Sequence, residues 1–153
     1  MRWVWLDEFT SIEREKRACA KRHFSLEEDI FDDHFPGLRV VPNPLLIEAM
    51  AQTGGVLTGL GFNFEKEVVL AKVPKAKFYK EALPPCELTF EAELKDRKED
   101  IAFVDACVKQ NGEKIGEASI IFACLGQLLP NSKEKIVFTP QFLQAFRINE
   151  IVK

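Results

Sequence analysis

The chain has 153 residues, 46% hydrophobic and 29% charged, with a net charge of −3; this describes one globular domain and excludes a disordered chain. Lysine and arginine are scattered along it, so no strongly basic face marks nucleic acid as the partner. Four cysteines without a CxxC pair, and only two histidines, argue against a zinc site and predict four reduced thiols in a cytoplasmic protein.

The opening MRWVWLDEF runs from a short apolar stretch straight into acids, unlike a signal peptide. Residues 9–24 read as a strand, a charged turn and a second strand, and residues 25–43, with Pro36, Gly37 and Pro42, as a loop. Asn43-Pro44 predicts a helix start, with the asparagine as N-cap and proline at the first helical position. The helix runs through LLIEAMAQTGGVLTGLG and fades near Gly59 or Gly61. Four runs of β character follow: 68–73, which 75–78 continues, then 87–94, 101–110 and 114–126. In the second of them Leu88, Phe90, Ala92 and Leu94 share one face, and Glu87, Thr89, Glu91 and Glu93 the other, the mark of a strand with one buried side. Asn111-Gly112 signals a hairpin. From Leu128 a polar linker leads to Thr139-Pro140, which caps a short helix. Residues 1–127 are thus expected as the main unit, with 128–153 a linker and helix of the same domain.

The long helix is apolar nearly all round, which predicts burial on every side. It carries Glu48 and Gln52 and is short for a bilayer span, so no membrane segment is expected. One buried helix in a chain otherwise built of strands must be wrapped by the sheet. That is the hotdog fold, an α+β class in which an antiparallel sheet surrounds one central helix; other α+β arrangements are the alternative. The thirteen phenylalanines against one tyrosine suit an apolar core or an apolar ligand channel.

Within the helix Glu48 stands out. A buried carboxylate is costly unless paired, protonated or at work. Gln52, four residues on, faces the same way and can hold it. Taken on these residues alone, Glu48 is either a structural group or a catalytic one, and His34 an ordinary loop histidine.

The stretch HFPGLRVVPNPLLIEAMAQ, residues 34–52, resembles the signature of the 3-hydroxyacyl-ACP dehydratases of the FabZ/FabA group. The likeness rests on His34, Phe35, Pro36, Gly37, Pro42, Leu45, Glu48, Ala49, Ala51 and Gln52, and on the spacing from histidine to acid. Phe31, KAKF at 75–78 and PPCELTFEAEL at 84–94 extend it. The resemblance implies removal of water from a (3R)-3-hydroxyacyl-ACP, without cofactor or metal. His34 is then the base for the C2 proton and Glu48 the acid for the leaving hydroxyl. A carboxyl in an apolar pocket keeps a proton to give. It further implies that the backbone N–H of Asn43 at the helix start polarises the thioester, with Gly37 shaping the loop and the Val40 carbonyl orienting His34. Glutamate, where the isomerising branch has aspartate, implies dehydration alone.

The pattern departs from the family at Arg39, Val41, Asn43, Pro44 and Asp33. Pro44 has no N–H, so any second oxyanion donor there is lost, and one donor can be worth about 10²–10³ in rate. A weak or inactive hotdog subunit that binds acyl-ACP is therefore the alternative; a hotdog thioesterase is a third reading, against which the intact HFPG stands. The resemblance also implies a homodimer, with a hexamer as trimer of dimers, sites shared between subunits, and an acyl carrier protein bearing acyl-phosphopantetheine as partner. Lys72, Lys75, Lys77 and Lys80 are either a solvated strand face or the docking patch for that acidic carrier. Phe142, Ala145, Phe146 and Ile148 are expected to form an apolar stripe that packs on this domain or on a neighbour.

Overall fold

A computed structural model describes residues 3–153. The order of elements is β1 (Glu8–Glu13), β2 (Arg17–Phe24), α1 (Ile30–Asp33), α2 (Asn43–Leu60), β3 (Glu67–Phe78), β4 (Cys86–Lys98), β5 (Ile101–Gln110), β6 (Glu113–Leu125), α3 (Pro140–Ala145) and α4 (Ile148–Ile151). The strands form one six-stranded sheet in the order β1-β2-β4-β5-β6-β3, antiparallel throughout. Helix α2 packs against β2, β3, β4, β5 and β6. This is the hotdog arrangement expected from the sequence.

Strand alternation explains how the sheet accepts the helix. Cys86, Leu88, Phe90 and Ala92 of β4 are buried, while Glu87 and Glu93 are exposed. The pairing registers place Ala18, Ala92, Ala106, Ala118 and Ala76 in one line across five strands. Ala18, Ala92, Ala106 and Ala118 are buried and remove bulk from the face that meets α2, while Ala76, on the edge strand, is exposed. The helix answers with glycines: a Cβ at Gly54 would stand 2.9 Å from Val104 Cγ1 and 3.2 Å from Phe122 Cε2. At the β5–β6 hairpin Asn111 and Gly112 both take positive φ, 51° and 78°, the geometry that such a dipeptide adopts in a type I′ turn.

Three details differ from the sequence-based expectation. A single helical turn, α1, interrupts the loop before His34; four residues give too little periodicity to be read. The N-cap of α2 is Pro42, with Asn43 and Pro44 as its first two residues and no side-chain cap. Burial of α2 is complete only from Ala49 onward, for Asn43 and Pro44 are exposed and Leu45, Ile47 and Glu48 half-buried. The apolar character of that first turn therefore faces the surface of the single chain.

The tail folds back over the domain. The carboxylate of Glu67, 2% exposed, accepts from the Ile136 N–H at 2.8 Å and the Val137 N–H at 3.2 Å. Thr139 caps α3 by accepting from the Phe142 N–H at 3.2 Å, as its Thr-Pro pair predicts. Phe146 meets Phe9 edge-on at 5.6 Å, Ile148 is fully buried, and Ala145 is exposed. The expected stripe packs on its own domain through Phe142, Phe146 and Ile148, without Ala145, because Arg147 enters the left-handed region (φ 53°) and breaks the helix in two. Among the described residues no helix is long and apolar enough to cross a membrane.

Candidate active site

His34 caps the C-terminal end of α1, and the loop behind it is held by its own backbone. The Phe35 N–H donates to the Leu38 carbonyl at 2.6 Å and the Leu38 N–H to the Phe35 carbonyl at 2.9 Å. Gly37 lies between them at φ +83°, with nothing within 4 Å of where a Cβ would stand. Glycine is required there by conformation and not by space. The Val40 N–H returns to the His34 carbonyl at 3.2 Å, and the Val41 N–H anchors the loop to Ala82 O at 2.9 Å.

His34 Nδ1 lies 3.0 Å from the Val40 carbonyl oxygen. A carbonyl only accepts, so Nδ1 carries a hydrogen, and in the neutral tautomer this selects Nε2 is the nitrogen with the lone pair. The Phe35 ring stacks on the imidazole at 3.9 Å between centroids. The ring is thereby held at one nitrogen by Val40 and on one face by Phe35.

Glu48 sits on the half-buried turn of α2, where Gln52 Nε2 donates to its Oε1 at 3.0 Å. Gln52 is itself buried and fully engaged. Its Nε2 also donates to the Trp3 carbonyl at 3.0 Å, and its Oε1 accepts from the Trp5 N–H at 2.9 Å. The segment that supplies those backbone groups is locked by Arg22, 4% exposed, which donates to Asp7 at 2.9 Å and Glu28 at 2.7 Å and lies over the Trp5 and Phe24 rings. A buried guanidinium needs such partners. This support reaches Glu48 from the N-terminal segment, which gave no sign of it in the sequence.

An apolar cavity of about 210 Å³ opens beside Glu48 and Gln52, with Val68 and Leu70 of β3 and Phe122 of β6 in its wall. A separate depression is lined by Phe35, Gly37, Leu38 and Arg39. His34 borders neither. Asn43 opens α2 with its N–H ahead of the first helical bond; Pro44, next to it, contributes none. Lys72, Lys75, Lys77 and Lys80 are all exposed, on and just past the strand that walls the Glu48 cavity. Lys80 pairs with Glu113 at 3.2 Å, and Lys77 lies over the Tyr79 ring at 5.2 Å.

An antiparallel sheet wrapped around one helix, with a histidine loop and, beside an apolar cavity, a helix carboxyl, defines the hotdog class of folds. A family model described as a FabA-like domain matches residues 3–119. The 3-hydroxyacyl-(acyl-carrier-protein) dehydratase FabZ of Neisseria meningitidis is 36% identical over 124 residues, covering 79% of this chain and 83% of that protein. The protein of the same name from Xanthomonas oryzae is 35% identical over 111 residues, covering 71% and 72%. A conserved protein of Pseudomonas aeruginosa shares the fold, with a TM-score of 0.62 at 17% identity over 77% of this chain and 87% of that one. The chain belongs to the FabA-like family, and both of these curated relatives carry the name of the FabZ dehydratase.

Proposed function

We propose that this chain dehydrates (3R)-3-hydroxyacyl thioesters carried on an acyl carrier protein, yielding the trans-2-enoyl thioester and water in fatty acid or related acyl-chain synthesis. The observation that carries the reading is the Nδ1 donation of His34 to Val40, which leaves Nε2 as the nitrogen available to act as a base. Nε2 takes the C2 proton, and the electron pair left behind forms the C2–C3 double bond as the C3–O bond breaks. Glu48 gives its proton to the departing hydroxyl, which leaves as water. The Asn43 N–H, at the positive end of α2, stabilises negative charge on the thioester oxygen. Gln52 holds the Glu48 carboxyl in place. Two proton transfers of this kind need no cofactor.

Because His34 lines no part of the cavity at Glu48, a second copy is proposed to supply the other half of each site, giving a homodimer and, by further association, a trimer of dimers. Among the described residues the outer edge of β3 carries no partner strand, and the half-buried first turn of α2 lies open to the same role. Lys72, Lys75, Lys77 and Lys80 receive the acidic carrier in this reading, and the enzyme works in the cytoplasm.

One observation favours a second reading. Pro44 leaves the helix start with a single free donor at the oxyanion position, which suits a subunit that binds acyl-ACP without dehydrating it. The test is turnover of 3-hydroxyacyl-ACPs followed by enoyl thioester absorbance, in wild type and His34→Ala. Turnover that falls by about 10²–10⁴ in the variant supports the dehydratase. A folded wild type that binds acyl-ACP yet turns over no chain length overturns it in favour of the binding subunit.

A further inference from the structure

Three residues of the tail, past the part of the chain that the family model matches, line the cavity beside Glu48 together with the helix and sheet. We propose that Val137, Phe138 and Phe142 form the end wall of the acyl site and set the longest chain it accepts. The identity of the occupant rests on the dehydratase reading; the wall itself does not.

Glu48 and Gln52 are the polar residues of the lining and the rest of it is apolar, which suits a hydrocarbon chain whose thioester lies at the Glu48 side. The wall is built to stay. The buried Glu67 carboxylate fixes the backbone at Ile136 and Val137. Phe138, 8% exposed, rests on the glycine face of α2, where a Cβ at Gly55 would stand 2.8 Å from its Cζ. Phe142 stacks on Phe138 at 5.2 Å and on Phe146 at 4.7 Å. The tail therefore meets the cavity as a braced aromatic row and not as a loose segment. Since an apolar cavity of about 150 Å³ accommodates benzene, this one of about 210 Å³ holds roughly eight carbons. With the thioester carbon, C2 and C3 at the reacting groups, the limit falls near eleven carbons.

Two readouts test this on the full-length protein. The first is kcat/KM for 3-hydroxyacyl-ACPs of four, eight, twelve and sixteen carbons. The second is binding of saturated acyl-ACPs of the same lengths, which cannot react, followed by fluorescence of Trp3, itself in the cavity wall. Wild type is expected to favour the short and middle lengths. Phe142→Ala should raise the sixteen-to-four-carbon ratio at least tenfold in both readouts, and Ala51→Leu, which fills the cavity from the helix side, should lower the twelve-to-four ratio. Phe142→Leu gives a smaller shift in the same direction and serves if the alanine variant does not fold. Unchanged ratios in all folded variants overturn the wall, even when wild type turns over. A shift in the binding ladder without turnover at any length upholds the wall and overturns the dehydratase reading.

Discussion

Glu48 and Gln52 are joined by a 3.0 Å hydrogen bond one helical turn apart, and the acceptor end of the same amide takes the Trp5 N–H at 2.9 Å. Gln52 thus couples the carboxyl to a segment 47 residues away. In Gln52→Leu the Trp5 N–H loses its acceptor in a buried place, which costs about 1–3 kcal/mol. We expect kcat to fall about tenfold with KM nearly constant, since the carboxyl is released and not removed. Gln52→Glu keeps an acceptor for Trp5 but sets a carboxyl against the Glu48 carboxyl and the Trp3 carbonyl, so it should restore neither kcat nor stability. Urea unfolding measured beside steady-state kinetics separates the two effects; a proportional rise in KM would refute the positioning role.

Glu67 holds the tail by accepting two backbone N–H bonds. Its replacement by alanine strands both donors at a site that is 2% exposed, and hydrogen bonds to a charged group are worth about 1.5–3 kcal/mol each. Hydrogen exchange should show amides of 136–146 losing protection while those of β4 and β5 keep theirs. Equal loss in the sheet would mean that the tail and the sheet open together.

Gly55→Ala sets a helix preference of about 1 kcal/mol against a Cβ placed 2.8 Å from the Phe138 ring. The ring is braced by Phe64 and Phe142, so it cannot give way cheaply, and overpacking of this kind costs about 1–3 kcal/mol. The expected outcome is a net loss of stability in thermal unfolding. The double variant with Phe138→Ala should not repeat the penalty.

Burial pushes the Cys86 thiol from 9.0 up to about 11, with Glu28 adding to it. A raised thiol stays neutral in the fold while the unfolded chain ionises. The contribution to stability is therefore complete below pH 9 and is lost as pH rises through about 11. Cys86→Ser, whose hydroxyl does not titrate there, should flatten the decline of stability measured over that window. Alkylation of Cys86 in the folded protein should be slow at neutral pH, since the thiolate is the nucleophile; rapid labelling there would contradict its burial.

Much of this architecture could be read from residue order. Alternation in β4, the Asn111-Gly112 hairpin and the glycine-rich apolar helix each state a local preference that the sheet and core satisfy without compromise. The His34–Val40 contact was also legible, through the resemblance of HFPG and its surroundings. Other features depended on distance in sequence. Pro74 did not divide β3, because it falls in the irregular step between Lys72 and Lys75 of an edge strand, where a missing N–H is tolerated. Gln52 read as a partner of Glu48 alone, whereas its bonds to Trp3 and Trp5 exist only once the N-terminal segment crosses α2. Nothing near Glu67 in the sequence signals the tail amides that it accepts from 69 and 70 residues away. The spacing of Gly55 and Gly59 was a usable sign: two glycines one turn apart leave a groove, and the rings of Phe138 and Phe64 lie in it.

The short parallel bridge between Ile12 and Val152, with the Lys153 N–H donating to the Ile12 carbonyl at 3.0 Å, has a consequence for birth on the ribosome. The outer edge of β1 is made first, and its cover is 140 residues behind it, the difference between positions 152 and 12. At about 5–20 residues per second the nascent chain carries that bare strand for roughly seven to thirty seconds. An open edge is a template for any neighbouring strand, so crowded translation of this message is the moment at which the protein most needs a chaperone.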